Sequence, residues 1–192
     1  MAANLTANDN GTAVALFYTF LILQLVINCC IMCCKSCARQ VPMNYIMLTV
    51  FTGCWAYILT YICALYDKDT VLCAALMTVV LTVTLTVFAV TTKVDFTGLC
   101  GPWVCFGLLL ILVVQMLLAL LSMWIFTFTE TWIPFAAGFC VIIYGLFLLI
   151  DVQLIVGGRR HELSIDDYVV GAMLIYLDVI MIFLELLKIF GR

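Results

Sequence analysis

The feature that most limits what this chain can become is a series of uncharged apolar runs, each about as long as a bilayer is thick. A helix crossing the hydrocarbon core needs roughly 20 apolar residues. Ala13 to Cys34 meets that requirement before Lys35, Tyr45 to Tyr66 meets it between Arg39 and Asp67, and Val71 to Thr92 between Asp69 and Lys93. The interval from Phe96 to Thr129 is interrupted at Gly101-Pro102, and proline is tolerated in a first turn, so a helix is expected from Trp103 to Phe126. Trp132 to Val156 follows, with Pro134 in its first turn and Gly157-Gly158 as its stop. The last run lies after Ser164, which with Asp167 has the spacing of a capping box. Backbone groups inside lipid must bond within their own segment or a closed barrel. The expectation is an all-α polytopic membrane helix bundle forming one domain over 1–192. Its helices are expected at about 13–34, 45–66, 71–92, 103–126, 132–156 and 166–190. The first five span, and the sixth either spans or re-enters.

Composition removes other classes. Hydrophobic residues make up 67% of the chain and charged ones 10%, far from a soluble domain. Eight Lys and Arg residues, scattered, form no basic stripe, so nucleic acid is not an expected partner. Eleven cysteines fall mostly inside apolar runs, where a thiol acts as a small hydrophobe, and mostly reduced thiols are expected. The single histidine, His161, sits in a charged loop beside no recognisable nucleophile, so no enzyme and no cofactor are expected.

Loop cations give an orientation. With the N-terminus outside the cytosol, Lys35, Arg39, Lys93, Arg159 and Arg160 become cytosolic and Lys68 alone opposes them. Lys188 and Arg192 then lie on the far side if the sixth segment spans, and return to the cytosol if it re-enters. A re-entrant segment requires protein around it.

Two acids stand inside apolar runs, Asp151 and Asp178. In a bilayer such residues are expensive and face a partner or a water-filled path. Asp151 lies six residues before Gly157, about 9 Å inside its helix end. Asp178 lies ten residues after Tyr168, and the connecting loop is short, so the two can be neighbours. Close carboxylates in a low dielectric cannot both ionise cheaply and are expected to share a proton. The alternative is a separate Thr or backbone partner for each, fixing helix packing.

Other candidates carry weaker signals. Asp67, Asp69 and Glu130 cluster on the expected luminal side, where they could attract cations to a mouth or simply be solvated loop residues. Cys33, Cys34 and Cys37, within Cys29-Cys30-x-x-Cys33-Cys34-x-x-Cys37, could accept palmitate, bind zinc, or be plain membrane cysteines. Thr78, Thr82 and Thr86, in register with Ala74, form a small-residue stripe suited to close helix packing or a pore lining. Gln24, Asn28 and Gln115 are expected to make interhelical hydrogen bonds.

Five short motifs in register carry a resemblance. They are Pro42-x-Asn44-Tyr45, Thr92-Lys93-Val94-Asp95-Phe96-Thr97-Gly98, Asp151-x-Gln153-Leu154-x-x-Gly157-Gly158, Leu163-Ser164-x-Asp166-Asp167-Tyr168 and Tyr176-Leu177-Asp178-x-Ile180. From about Leu16 onward the chain resembles the lifeguard branch of the transmembrane Bax inhibitor motif family. The resemblance implies a protein of the endoplasmic reticulum, Golgi or related membranes that suppresses apoptosis and lets calcium, the permeant ion, leak from the lumen. It also implies that the acids matching Asp151 and Asp178 share protons and gate the path with pH. The family generally has a further helix ahead of the one beginning here near Ala13, so six segments are expected in place of seven. The implied partners are membrane lipid, calcium, a second copy or a relative, and apoptosis regulators. The competing expectation is a non-conducting interaction protein that binds full-length relatives or those regulators.

Overall fold

The computed structural model describes residues 2–33, 39–99, 132–158 and 162–191. Five helices appear in this order: α1 (Ala2–Cys33), α2 (Met43–Cys63), α3 (Lys68–Thr91), α4 (Trp132–Val156) and α5 (Tyr168–Phe190). Two 3-10 turns, Thr97–Leu99 and Ile165–Asp167, lie in the connections, and no strand occurs among the described residues. Each helix contains a stretch long and apolar enough to cross a bilayer. The protein is therefore an integral membrane protein of helical architecture. The segment expected over 103–126 lies outside the described residues.

One end differs from the apolar count. α1 begins at Ala2, well ahead of the apolar run, because extending an existing helix adds one hydrogen bond per residue fixed and needs no apolar side chain. α5 is unbroken over 23 residues, about 35 Å, which is long enough to cross a bilayer.

The chain divides into two compact units. The first comprises Met1–Asp67 and Ile165–Met173. Here α1 and α2 pack through rings and aliphatic side chains, with Phe17 against Tyr61 at 4.7 Å and Phe20 against Tyr57 at 4.6 Å between centroids. These pairs fix an antiparallel register. Phe51, Ile27, Ile31 and Ile58 fill the seam, and Phe51 is fully buried. Polar contacts hold one end of this unit. Arg39 grips Asp167 with two hydrogen bonds of 2.7 Å, and Asn44 donates from Nδ2 to the Tyr168 hydroxyl at 2.7 Å. The Asp167 carboxylate raises the pKa of the exposed Arg39 guanidinium, chiefly through the hydrogen bond.

The second unit comprises Lys68–Ser164 and Leu174–Arg192. α3 and α4 run side by side, and small residues bring them close. A Cβ placed on Gly145 would meet Leu85 Cδ1 at 3.1 Å, while Ala74, Ala89 and Ala137 are buried. In the threonine stripe each hydroxyl returns to its own helix. Thr78 donates to Ala74 O, Thr82 to Val79 O and Thr86 to Thr82 O, and of the three Thr78 alone is buried. Gln153 ties the connection after α3 to α4. Its Oε1 accepts from Phe96 N at 2.9 Å, and its Nε2 donates to Val94 O at 3.0 Å and Ala89 O at 3.3 Å. The stop after α4 uses Gly157 and Gly158 at φ 73° and 70°, a left-handed conformation that suits glycine. The Glu162 carboxylate accepts the Gly158 N–H at 3.0 Å.

Candidate functional site

α4 and α5 are the most enclosed spans, with half of each apolar window buried, against 22% for α1 and α2 and 17% for α3. Asp151 and Asp178 are each 6% exposed, and their carboxyl groups are hydrogen-bonded to one another. A bond between two carboxyls needs a proton on one of them. The Oδ2 atom of Asp178 is buried with no hydrogen-bond partner among the described residues. One lone-pair face of the pair is thus unsatisfied in a low-dielectric seam, which favours either a second proton or a cation.

Chemically, the arrangement can bind and release protons as a unit and switch between attraction and repulsion across two helices. Among the described residues no group of three or more His, Cys, Asp and Glu side chains gathers to hold a metal ion.

The remaining candidates are dispersed. Asp67 is exposed after α2, and Asp69 is exposed in the first turn of α3. Glu130, Cys34, Cys37, Gln115 and His161 lie outside the described residues, and Cys33 is the last residue of α1. Cys29, Cys30, Cys54, Cys63, Cys73 and Cys140 are free thiols. Gln24 departs from expectation. It is 6% exposed, yet both of its amide atoms are buried without a hydrogen-bond partner among the described residues.

Sequence reasoning undervalued Glu185 and Lys188. Glu185 is 2% exposed and Lys188 Nζ contacts its Oε1 at 2.7 Å. The i, i+3 spacing on one helix was the available signal.

Comparison with known proteins bears on this geometry. A family model described as "Inhibitor of apoptosis-promoting Bax1" matches residues 1–192. Human protein lifeguard 3 is 33% identical over 182 residues, covering 93% of this chain and 56% of the relative. The mouse lifeguard 3 protein is 32% identical over 182 residues, with 57% of its length covered. LIFEGUARD 4 of Arabidopsis thaliana is 29% identical over 183 residues, with 69% of its length covered. The chain thus spans little more than half the length of the two lifeguard 3 proteins. A buried acidic pair between apolar helices, the full-length family match and the lifeguard relatives agree: this chain belongs to the Bax1 inhibitor family of membrane proteins, a family linked to the inhibition of apoptosis.

Proposed function

We propose that this protein is a proton-controlled calcium leak pathway of an intracellular membrane, the endoplasmic reticulum or Golgi, and that it suppresses apoptosis by lowering luminal calcium. The observation that carries the reading is the hydrogen-bonded Asp151–Asp178 pair within two enclosed helices. While the proton is shared, the pair draws α4 and α5 together. Loss of that proton leaves two carboxylates in a seam of low dielectric, which separate or admit a divalent cation between them. Leak therefore rises with pH. The N-terminus is luminal in this reading, with Arg39 and Lys93 cytosolic, and Asp67 and Asp69 offer a weak negative field at the luminal mouth. Membrane lipid, a second copy or relatives of the same family, and apoptosis regulators are its partners.

Calcium efflux from liposomes holding the purified protein tests the reading. Efflux above protein-free vesicles, increasing with pH, is the expected result. Its absence would favour a non-conducting interaction protein, a reading supported by α3, whose apolar window is 17% buried and leaves a long face for lipid or another helix.

A further inference from the structure

Asp151 and Gln153 stand two residues apart on α4, and a step of two residues turns about 200° around a helix, so their side chains leave α4 on opposite sides. On one side Asp151 meets Asp178 of α5. On the other, Gln153 reaches the end of α3 and the connection that follows it. Gln153 is 1% exposed. Its Nε2 donates to two carbonyls, Ala89 O at 3.3 Å and Val94 O at 3.0 Å, while its Oε1 accepts from Phe96 N at 2.9 Å. Ala89 is among the last four residues of α3, whose carbonyls run out of donors within the helix. One amide thus closes the end of α3 and ties it to α4.

The two seams of α4 are built differently. Toward α3 the backbones approach closely, and the contact at Gly145 leaves little room, since a Cβ there would stand 3.1 Å from Leu85 Cδ1. Toward α5 the backbones stand farther apart, and the two carboxyls bridge the gap. Close packing has little slack, and buried backbone groups are costly to leave unbonded. A bond between carboxyls is lost with one proton. The other titratable groups on these elements stand away from the pair. Cys140 and Tyr144 lie about three and two turns before Asp151, and Glu185, bonded to Lys188, about two turns after Asp178. Tyr176 leaves α5 on the side opposite Asp178 by the same two-residue step, Lys68, Asp69 and Cys73 lie at the far end of α3, and Lys93 and Asp95 lie in the connection that Gln153 holds.

We propose that Gln153 is a positioning residue for the acidic pair: it pins α4 to the end of α3, so that α5 is the helix that moves when the pair loses its proton. Asp151 then stays on a fixed wall, and Asp178 is carried away from it. This deepens the calcium-leak reading and rests on it for the link between movement and leak, but which helix moves is a property of its own.

Distances between spin labels test it directly. Nitroxide amino acids incorporated in pairs, at the exposed Val90 of α3 with the exposed Ile155 of α4, and at Ile155 with the half-buried Ile175 of α5, leave the native cysteines in place. Between acidic and mildly alkaline buffer, the 155 to 175 distance is expected to lengthen by about 2 Å, the scale of helix shifts in switching proteins, while the 90 to 155 distance stays constant. In Gln153→Ala the 90 to 155 distance is expected to become pH-dependent as well.

The pH profile of calcium leak from liposomes gives a second readout. With the clamp removed, α4 also yields, two charged carboxylates relax more easily, and the rise in leak is expected to move to lower pH by about one unit, the shift that one net hydrogen bond can give. Where Gln153→Ala does not fold, Gln153→Met fills a similar volume without the hydrogen bonds and carries the same expectation. A wild-type 90 to 155 distance that changes with pH as much as the 155 to 175 distance would overturn the clamp, and so would two constant distances in protein whose leak rises with pH. A Gln153 variant that loses stability but keeps the wild-type pH profile and a constant 90 to 155 distance would also overturn it, since the residue would then be structural only. Wild-type protein in which only the 155 to 175 distance responds to pH, without any leak, would retain the moving α5 and overturn the leak reading.

Discussion

The α1–α2 pair and the α4–α5 pair are both built from two long apolar helices, yet they are held by different physics. α1 and α2 meet through stacked rings and aliphatic groups, with Phe51 enclosed completely. Such contacts depend on shape and are indifferent to pH or ions. α4 and α5 carry ionisable groups, Asp151 with Asp178 between the two helices and Glu185 with Lys188 within α5. The contact between the two acids is conditional, because it changes from attraction to repulsion with loss of a proton. A membrane protein that must both stay assembled and respond to its solution can divide those tasks between seams of the two kinds.

The largest expected effect on stability falls in the apolar seam. Phe51→Ala removes a fully buried ring and is expected to cost about 3 kcal/mol, measured as a loss of melting temperature in detergent. It should leave the pH dependence of any leak unaltered, and a changed pH profile would blur the division between the two seams.

Next comes Gln153→Ala, which removes three hydrogen bonds between α4 and the backbone around residues 89–96. The expected loss is about 1–3 kcal/mol, since it leaves buried backbone groups without partners. Hydrogen exchange at the amide of Phe96 should accelerate, and unchanged protection there would contradict the clamp.

A smaller effect of opposite sign is expected from Gln24→Leu. The amide is buried with neither atom bonded, so replacing it by an apolar group of similar size should stabilise the α1–α2 seam by about 1 kcal/mol. A destabilised variant would mean that Gln24 serves a polar partner. Arg39→Ala should change stability least, because the guanidinium is exposed and its bond to Asp167 competes with water.

These contrasts also explain what was legible in the sequence. Helices with a long apolar run could be found by length alone, because lipid imposes that length on any sequence. Asp151 and Asp178 stood out because a charge inside such a run is costly, and their mutual hydrogen bond followed from depth and a short loop. The Gln153 clamp was not readable as a contact, since its partners are backbone groups that any residue would supply. Arg39 and Asp167 lie 128 residues apart, with no local pattern joining them. The start of α1 at Ala2 was missed because polar residues can extend a helix without adding to an apolar count. Gln24 misled in the other direction, for a polar side chain in a span does not always find a partner.

The central claim is that the proton shared by Asp151 and Asp178 controls the path. Its most direct test is the pH profile of calcium efflux from liposomes holding wild-type protein, Asp151→Asn or Asp178→Asn, each checked for folding by gel filtration. An amide cannot release the proton-linked charge, so each variant should give a flat profile near the wild-type value at low pH, while wild-type efflux rises with pH. If both variants keep the wild-type profile, the pair is structural and the control of the path lies elsewhere.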